Sequence, residues 1–288
     1  MHEFWSAAII GVSLGAQYAL LALGFTLIFG ILGVINFAHG GFYALGGYVA
    51  YSAVSGLGLP YPLAVLAAVL VTAALGYLYE LFIIERFVDD HLATMMLTLG
   101  LYLMISTGLL AVFGPQSPEF SFPVKGSYSI GDLRIAKENL VVLAVCGCAI
   151  GAIYWLIYRT DFGRALRALA DDRQVATTQG MRPRLLFPLA FGLATGLAGL
   201  TGALVTPILA LSPSAGDPVL VTSFLTVILG GLGSIAGATI AALIVGFIEA
   251  YASVYLGGSA GALVLFIMVL VILLARPTGL FGRQIRGA

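Results

Sequence analysis

The sequence predicts an all-α membrane protein: a polytopic helical bundle of about eight or nine membrane segments, with two related halves and Gly-rich helix breaks. Three observations carry that expectation. The first is composition: 60% of the 288 residues are hydrophobic, 9% are charged and the mean hydropathy is +1.07, too apolar for a soluble domain without large exposed patches. The second is that the apolar residues come in runs near the roughly 20 needed to cross a bilayer as a helix. A barrel would show short alternating segments instead. The third is an internal echo. Residues 20–54 laid over 220–254 match Thr26 with Thr226, Gly30 with Gly230, Gly33 with Gly233, Ala38 with Ala238, Gly46 with Gly246 and Tyr51 with Tyr251. Each copy reads as a helix, a glycine-rich break and a second helix. Transporters are often built from related halves whose broken helices flank a central pathway; chance matching in sequence rich in Gly, Ala and Leu is the alternative.

In chain order the apolar blocks run approximately over 5–33, 38–56, 62–84, 93–113, 140–158, 188–210, 219–233, 236–256 and 260–276, within a single domain of 1–288. The first is long enough for one tilted helix or a broken one, and 219–233 is short for a full crossing. Met1-His-Glu-Phe-Trp5 lacks a basic n-region and a small-residue cleavage site, so the first block is expected to stay as a span. The segment 159–187 holds Arg159, Arg164, Arg167, Arg173, Arg182 and Arg184, six of the thirteen Lys and Arg residues. With Arg276, Arg283 and Arg286 of the tail it belongs in the cytoplasm by the positive-inside rule. The segment 114–139, with Pro115, Pro118, Pro123 and mixed charges, then lies outside as an ordered loop. Asp217, between Pro213 and Pro218, reads as an external turn residue.

The chemistry-bearing positions are few. The first break contains Asn36 and His39; Asn36 can cap the next helix, and His39 either makes one satisfying hydrogen bond or contacts a solute. The second is Gly230-Gly231-Leu-Gly233-Ser234, and Glu249 follows inside a span, where it lines a pathway, bonds a neighbouring helix or sits at the outer boundary. Residues 161–180 read as one amphipathic helix ended by Gly180. Arg164, Arg167, Asp171, Gln174 and Thr178 share one face, with Phe162, Leu166, Leu169 and Ala176 opposite. Such a helix lies on headgroups or fits a groove in a soluble partner. There are no catalytic residues: no phosphate loop, no His-Glu-x-x-His and no nucleophile with a buried base. No metal site is expected, and Cys146 and Cys148, on opposite sides of a helix, read as packing residues. Zero net charge and the lack of a basic tail point away from nucleic acid.

Taken together, Asn36-Phe-Ala-His39-Gly40, the loop Gly163-Arg-Ala-Leu-Arg-Ala-Leu-Ala-Asp-Asp172 ending at Gly180, Ala198-Gly-Leu-Thr-Gly-Ala203 and Leu229-Gly-Gly-Leu-Gly-Ser-Ile-Ala-Gly-Ala238 through Glu249 resemble the LivH-type permease of branched-chain amino acid ABC importers. The resemblance implies a multi-pass protein of the bacterial inner membrane. Its implied partners are a second, LivM-like permease, two cytoplasmic ATPases that use ATP and Mg, and an external solute-binding protein. It implies no cofactor in this chain, and it makes 161–180 the segment that couples to the ATPases, through Arg164, Arg167, Asp171 and Asp172. Two stretches depart from the family pattern. Phe87-Val-Asp89-Asp90-His91 stands where a basic stretch is usual. Ala215-Gly216 and Thr222-Ser223-Phe224 stand where the family often has Met-Gly and a Lys-Ala-Phe. Urea, short amides and other amino acids therefore remain open as solutes. A secondary transporter or channel for a small polar solute is the competing class.

Overall fold

A computed structural model describes residues 2–130, 133–257, 260–276 and 278–281. Its helices are α1 (His2–Leu32), α2 (His39–Ser55), α3 (Tyr61–Phe82), α4 (His91–Phe113), α5 (Lys137–Arg159), α6 (Asp161–Asp171), α7 (Arg173–Thr178), α8 (Pro183–Val205), α9 (Gly216–Gly230), α10 (Ile235–Leu256) and α11 (Ala260–Ala275). A 3-10 turn, Ile84–Phe87, joins α3 to α4. Strands β1 (Ser127–Ile130) and β2 (Leu133–Ala136) form an antiparallel hairpin with Ser127 opposite Ala136. The protein is thus an all-α membrane protein with one small hairpin.

Every apolar block emerges as a helix, but the count of eight or nine membrane segments is not matched by helix length. Among the described residues, six helices are long and apolar enough to cross a membrane: α1, α3, α4, α5, α8 and α10. The other three, α2, α9 and α11, have 17, 15 and 16 residues. At 1.5 Å per residue they span about 22–26 Å, short of a hydrocarbon core of about 30 Å. The first block is one unbroken helix, and α5 begins at Lys137, three residues before the apolar run, so the loop expected over 114–139 ends in the hairpin instead. The connection expected over 159–187 shortens to 160–182, because α5 runs to Arg159 and α8 starts at Pro183. Within it the single expected helix is two. Asp172 leaves helical geometry (φ −155°, ψ 105°), and its carboxylate accepts the Val175 N–H at 2.9 Å to start α7. Asp217 lies in the first turn of α9 rather than in a loop.

The chain divides into two compact units. One comprises Leu27–Ser121 and Gly151–Val221, and its centre is α2, α3 and α8 packed face to face. The buried stripe of α3 is Ala64, Ala68, Thr72, Gly76 and Glu80, every fourth residue. Small side chains let helices approach closely where apolar burial gives no driving force in lipid. A Cβ on Gly76 would collide with the Thr195 side chain, and one on Gly199 with Thr72. The Thr195 hydroxyl donates to the Thr72 carbonyl at 3.0 Å, and the Tyr61 hydroxyl to that of Ala203 at 2.8 Å. On α2, Gly46 meets the Gly199 backbone with no room for a methyl group.

The other unit comprises Met1–Thr26, Phe122–Ile150 and Thr222–Ala288. Here Gly11 and Gly15 of α1 lie against Phe247 and Leu243 of α10. Leu229, Ala241, Val245, Leu265 and Val269 form its core. On α5, Cys146 is buried and Cys148 is exposed, both as free thiols.

Candidate functional site

The first break follows α1, where Gly33 takes φ +69°. That left-handed turn costs an L side chain roughly 1–2 kcal/mol, which glycine avoids. Asn36 and His39 are both fully buried. Asn36 Oδ1 accepts the Ala38 N–H at 3.0 Å, so it fixes the turn two residues ahead; Ala38, at the N-cap of α2, makes no side-chain cap bond. The break is tied to α4 by Thr98, whose hydroxyl oxygen accepts the Phe37 N–H and lies in donating reach of the Ile35 carbonyl, both at 3.2 Å. Thr94, one turn earlier, is buried beside it on the same face. The backbone of Gly40 touches that of Gly216, and the Ser106 hydroxyl donates to the Pro213 carbonyl at 3.2 Å. The first break is therefore a buried polar turn walled by α4 and the segment before α9.

The second break belongs to the other unit. Gly231 and Gly233 take φ +98° and +81°, and Ser234 Oγ accepts the Gly237 N–H at 3.1 Å to cap α10. Gly230 and Gly237 touch backbone to backbone. The Leu280 and Phe281 N–H groups cover the last carbonyls of α9, donating to Leu229 at 2.8 Å and Gly230 at 3.2 Å. Glu249 is not at this break. It stands roughly 20 Å further along α10, half-buried, and accepts the Tyr18 hydroxyl of α1 at 2.7 Å.

The third element is α6–α7. Thr160 caps α6 by accepting the Gly163 N–H at 3.1 Å, and Gly163, Leu166, Leu169 and Ala176 are buried. The exposed side carries Arg164, Asp171, Asp172 and Gln174, with Gly180 beyond, and also the apolar Val175. Arg164 pairs with Asp161, and Arg167 lies over the Tyr158 ring at 5.0 Å. Arg173 bonds Asp89 at 2.9 Å and lies 5.3 Å over the Phe187 ring, while Arg184 bonds Glu85 at 2.9 Å. The acidic stretch after α3 thus meets the arginine-rich segment of the same chain.

Compared with known proteins, the chain matches the family described as branched-chain amino acid transport system / permease component over residues 7–275. It belongs to that permease family. The high-affinity branched-chain amino acid transport system permease protein BraD of Pseudomonas aeruginosa is 28% identical to it, over 98% of this chain and 97% of BraD. Escherichia coli LivH, of the same description, is 29% identical over 95% of this chain and 94% of its own. A probable branched-chain amino acid transport permease, LivH of Methanocaldococcus jannaschii, is 28% identical over 91% and 88%. This permease is a multi-pass protein of the plasma membrane.

Of the predicted pathway residues, Asn36 and His39 belong to one unit and Gly230, Gly231 and Gly233 to the other, within which Glu249 stands apart from them on α10. Sequence reasoning missed two residues. Thr98 is a long-range partner of the first break and carries no local signal. Glu80 ends the buried stripe of α3, is fully buried, and neither of its carboxylate oxygens has a partner among the described residues. An ionisable group inside a membrane helix is the signal that would have found it.

Proposed function

We propose that this permease is the membrane subunit of an ABC importer for branched-chain or related amino acids and forms half of the translocation pathway. The family match over nearly the whole chain carries this reading. Its partners in that reading are a second, LivM-like permease, two cytoplasmic ATPases and an external solute-binding protein. ATP and Mg act in the ATPases, and this chain catalyses nothing. The arginine-rich connection 160–182 lies in the cytoplasm and the hairpin loop outside. The nine apolar helices make up eight or nine membrane segments, the short α2, α9 and α11 sitting beside breaks as in other transporters. The two related halves are 20–54 and 220–254. In each a left-handed glycine follows the first helix at the matched position, Gly33 or Gly233, and in the second half Gly231, directly after α9, is left-handed as well.

Coupling falls to α6–α7. Gly163, Leu166, Leu169 and Ala176 are already spent on its own chain, so the charged side, with Val175 at its edge, is the surface left for a partner. Docking an ATPase there desolvates Arg164, Arg167, Asp171 and Asp172, which makes them matter more than an exposed pair worth about 0–1 kcal/mol. Motion of the ATPases then swings the pathway between outward-facing and inward-facing states. Asn36, His39, the second-break glycines and Glu249 are the pathway residues of this reading.

Purification of the tagged chain from its native membrane in mild detergent tests the reading. Recovery of a second permease and two ATPase polypeptides is expected, with uptake of labelled leucine, isoleucine or valine dependent on the binding protein. Recovery of the chain alone, with uptake driven by an ion gradient, would replace it with a secondary transporter or channel. Uptake of urea or a short amide instead would keep the importer and change its solute. The double variant Arg167→Ala/Asp171→Ala is expected to insert normally, bind ATPase poorly and abolish uptake; normal uptake by it removes the coupling assignment.

A further inference from the structure

The six arginines from the end of α5 to the start of α8 do not all have the same neighbours. Arg164, Arg173 and Arg184 each meet a carboxylate, on Asp161, Asp89 and Glu85. Arg159, Arg167 and Arg182 meet none among the described residues. Two of these three stand together at Tyr158. Arg159 is the next residue and the exposed last one of α5. Arg167 is brought back to it by Gly163, where a Cβ would collide with the Leu156 and Ile157 carbonyls, so glycine lets α6 start hard against the end of α5. The Arg167 guanidinium then lies 5.0 Å over the Tyr158 ring.

Depth selects what reaches this pair. With 23 residues, α5 spans about 34 Å against a hydrocarbon core of about 30 Å, which sets Lys137 and Arg159 at its two boundaries. Trp155, one turn inside Arg159 on the same face of the helix, is 63% exposed, and Tyr158 is 45% exposed. Exposed indole and phenol rings in the last turn of a span favour the headgroup layer. The Arg167 cation is held against that turn rather than extended away from it, and stacking on Tyr158 orders part of its side chain before any ligand arrives. A soluble protein beneath the membrane can offer acidic side chains to Arg164 or Arg182, but the anions at the level of Tyr158 are the phosphates of the lipid. Two guanidiniums at one aromatic ring without a carboxylate leave a charge unmet, and phosphate oxygens match the guanidinium fork.

We infer that Arg159 and Arg167, with Tyr158 and Trp155, form a binding site for the phosphate of an anionic phospholipid in the cytoplasmic leaflet, Trp155 lying against the first carbons of its acyl chains. Only the choice of leaflet rests on the orientation proposed above. Arg167 is also one of the proposed coupling contacts, so the test reads lipid on the full chain purified without ATPase. Native mass spectrometry of that chain, titrated with palmitoyl-oleoyl phosphatidylglycerol or the matching phosphatidylcholine, measures the affinity for the first bound lipid. Wild type is expected to prefer phosphatidylglycerol, and Arg159→Gln/Arg167→Gln to bind it about 25-fold more weakly, about fivefold for each arginine, with phosphatidylcholine unchanged. Arg182→Gln removes the same charge away from Tyr158 and is expected to bind like wild type. Should the double variant not purify as a folded chain, the two single variants carry the same comparison at about fivefold each. An equal loss in Arg182→Gln would reduce the effect to overall charge. Unchanged affinity in the double variant, with or without loss of ATPase binding, would place the lipid elsewhere, and displacement of the lipid by inorganic phosphate at equal concentration would make this a free-anion site. Each of these overturns the assignment.

Discussion

Glu80 is the residue whose surroundings fit it least. A buried carboxyl without a hydrogen-bond partner destabilises a fold by about 1–3 kcal/mol or more, and replacing such a group with an apolar one is often neutral or stabilising. Glu80→Leu is therefore expected to raise the detergent melting temperature, by about 2–4 °C for each kcal/mol regained, measured by intrinsic fluorescence. A fall would mean that Glu80 has a partner in the assembled protein. The ion pairs nearby behave differently. Arg173 and Asp89 are 43% and 91% exposed, so Asp89→Ala is expected to lower stability by less than about 1 kcal/mol, and less still in high salt. Asn36 and His39 were legible because a polar pair beside a glycine-rich break is unusual in apolar sequence. Glu80 carried the signal of an ionisable group in an apolar run, but next to Glu85 and Arg86 it also reads as the headgroup end of a helix, and only the packing of α3 on α8 buries it.

At the level of elements, apolar runs located nine helices to within about five residues, six of them long and apolar enough to cross a membrane. The misses have physical causes. The amphipathic period continues across Asp172, so periodicity alone gives one helix; the carboxylate competes by capping α7, which ends α6. Asp172→Ala removes that cap and is expected to cost about 1 kcal/mol, seen as faster hydrogen exchange over 173–178 with α8 unchanged. Unchanged exchange there would show that packing of Ala176 alone holds α7. The hairpin at 127–136 carries a signal, Tyr128/Ile130 and Leu133/Ile135 alternating about Gly131-Asp132, but its strands are only four residues each and lie in a segment rich in Pro and Gly that reads as loop. The seam of α2, α3 and α8 was legible only as an excess of Gly and Ala, which does not reveal which helices pair. Gly46→Val puts two methyl groups into the Gly199 backbone; loss of the folded monomer peak on size exclusion is expected.

At the scale of the whole molecule, helix length and family membership agree on a multi-pass permease, while the number of crossings rests on three short helices. Single cysteines placed at Gln174 and at Ser121, probed with a membrane-impermeant maleimide, are expected to react from opposite sides of the membrane; reaction from one side overturns the proposed orientation. The solute is the least legible property, because the buried polar groups at the first break are few and two of them, Asn36 and Thr98, are engaged with backbone. The two native thiols add a practical consequence. With Cys146 enclosed and Cys148 exposed on α5, each chain offers an apolar maleimide dye one attachment point without any change of sequence. With the chain labelled alone and then assembled with unlabelled partners, photobleaching of single complexes would count its copies: one step for a transporter built from two different permeases, two for one built from a pair of these.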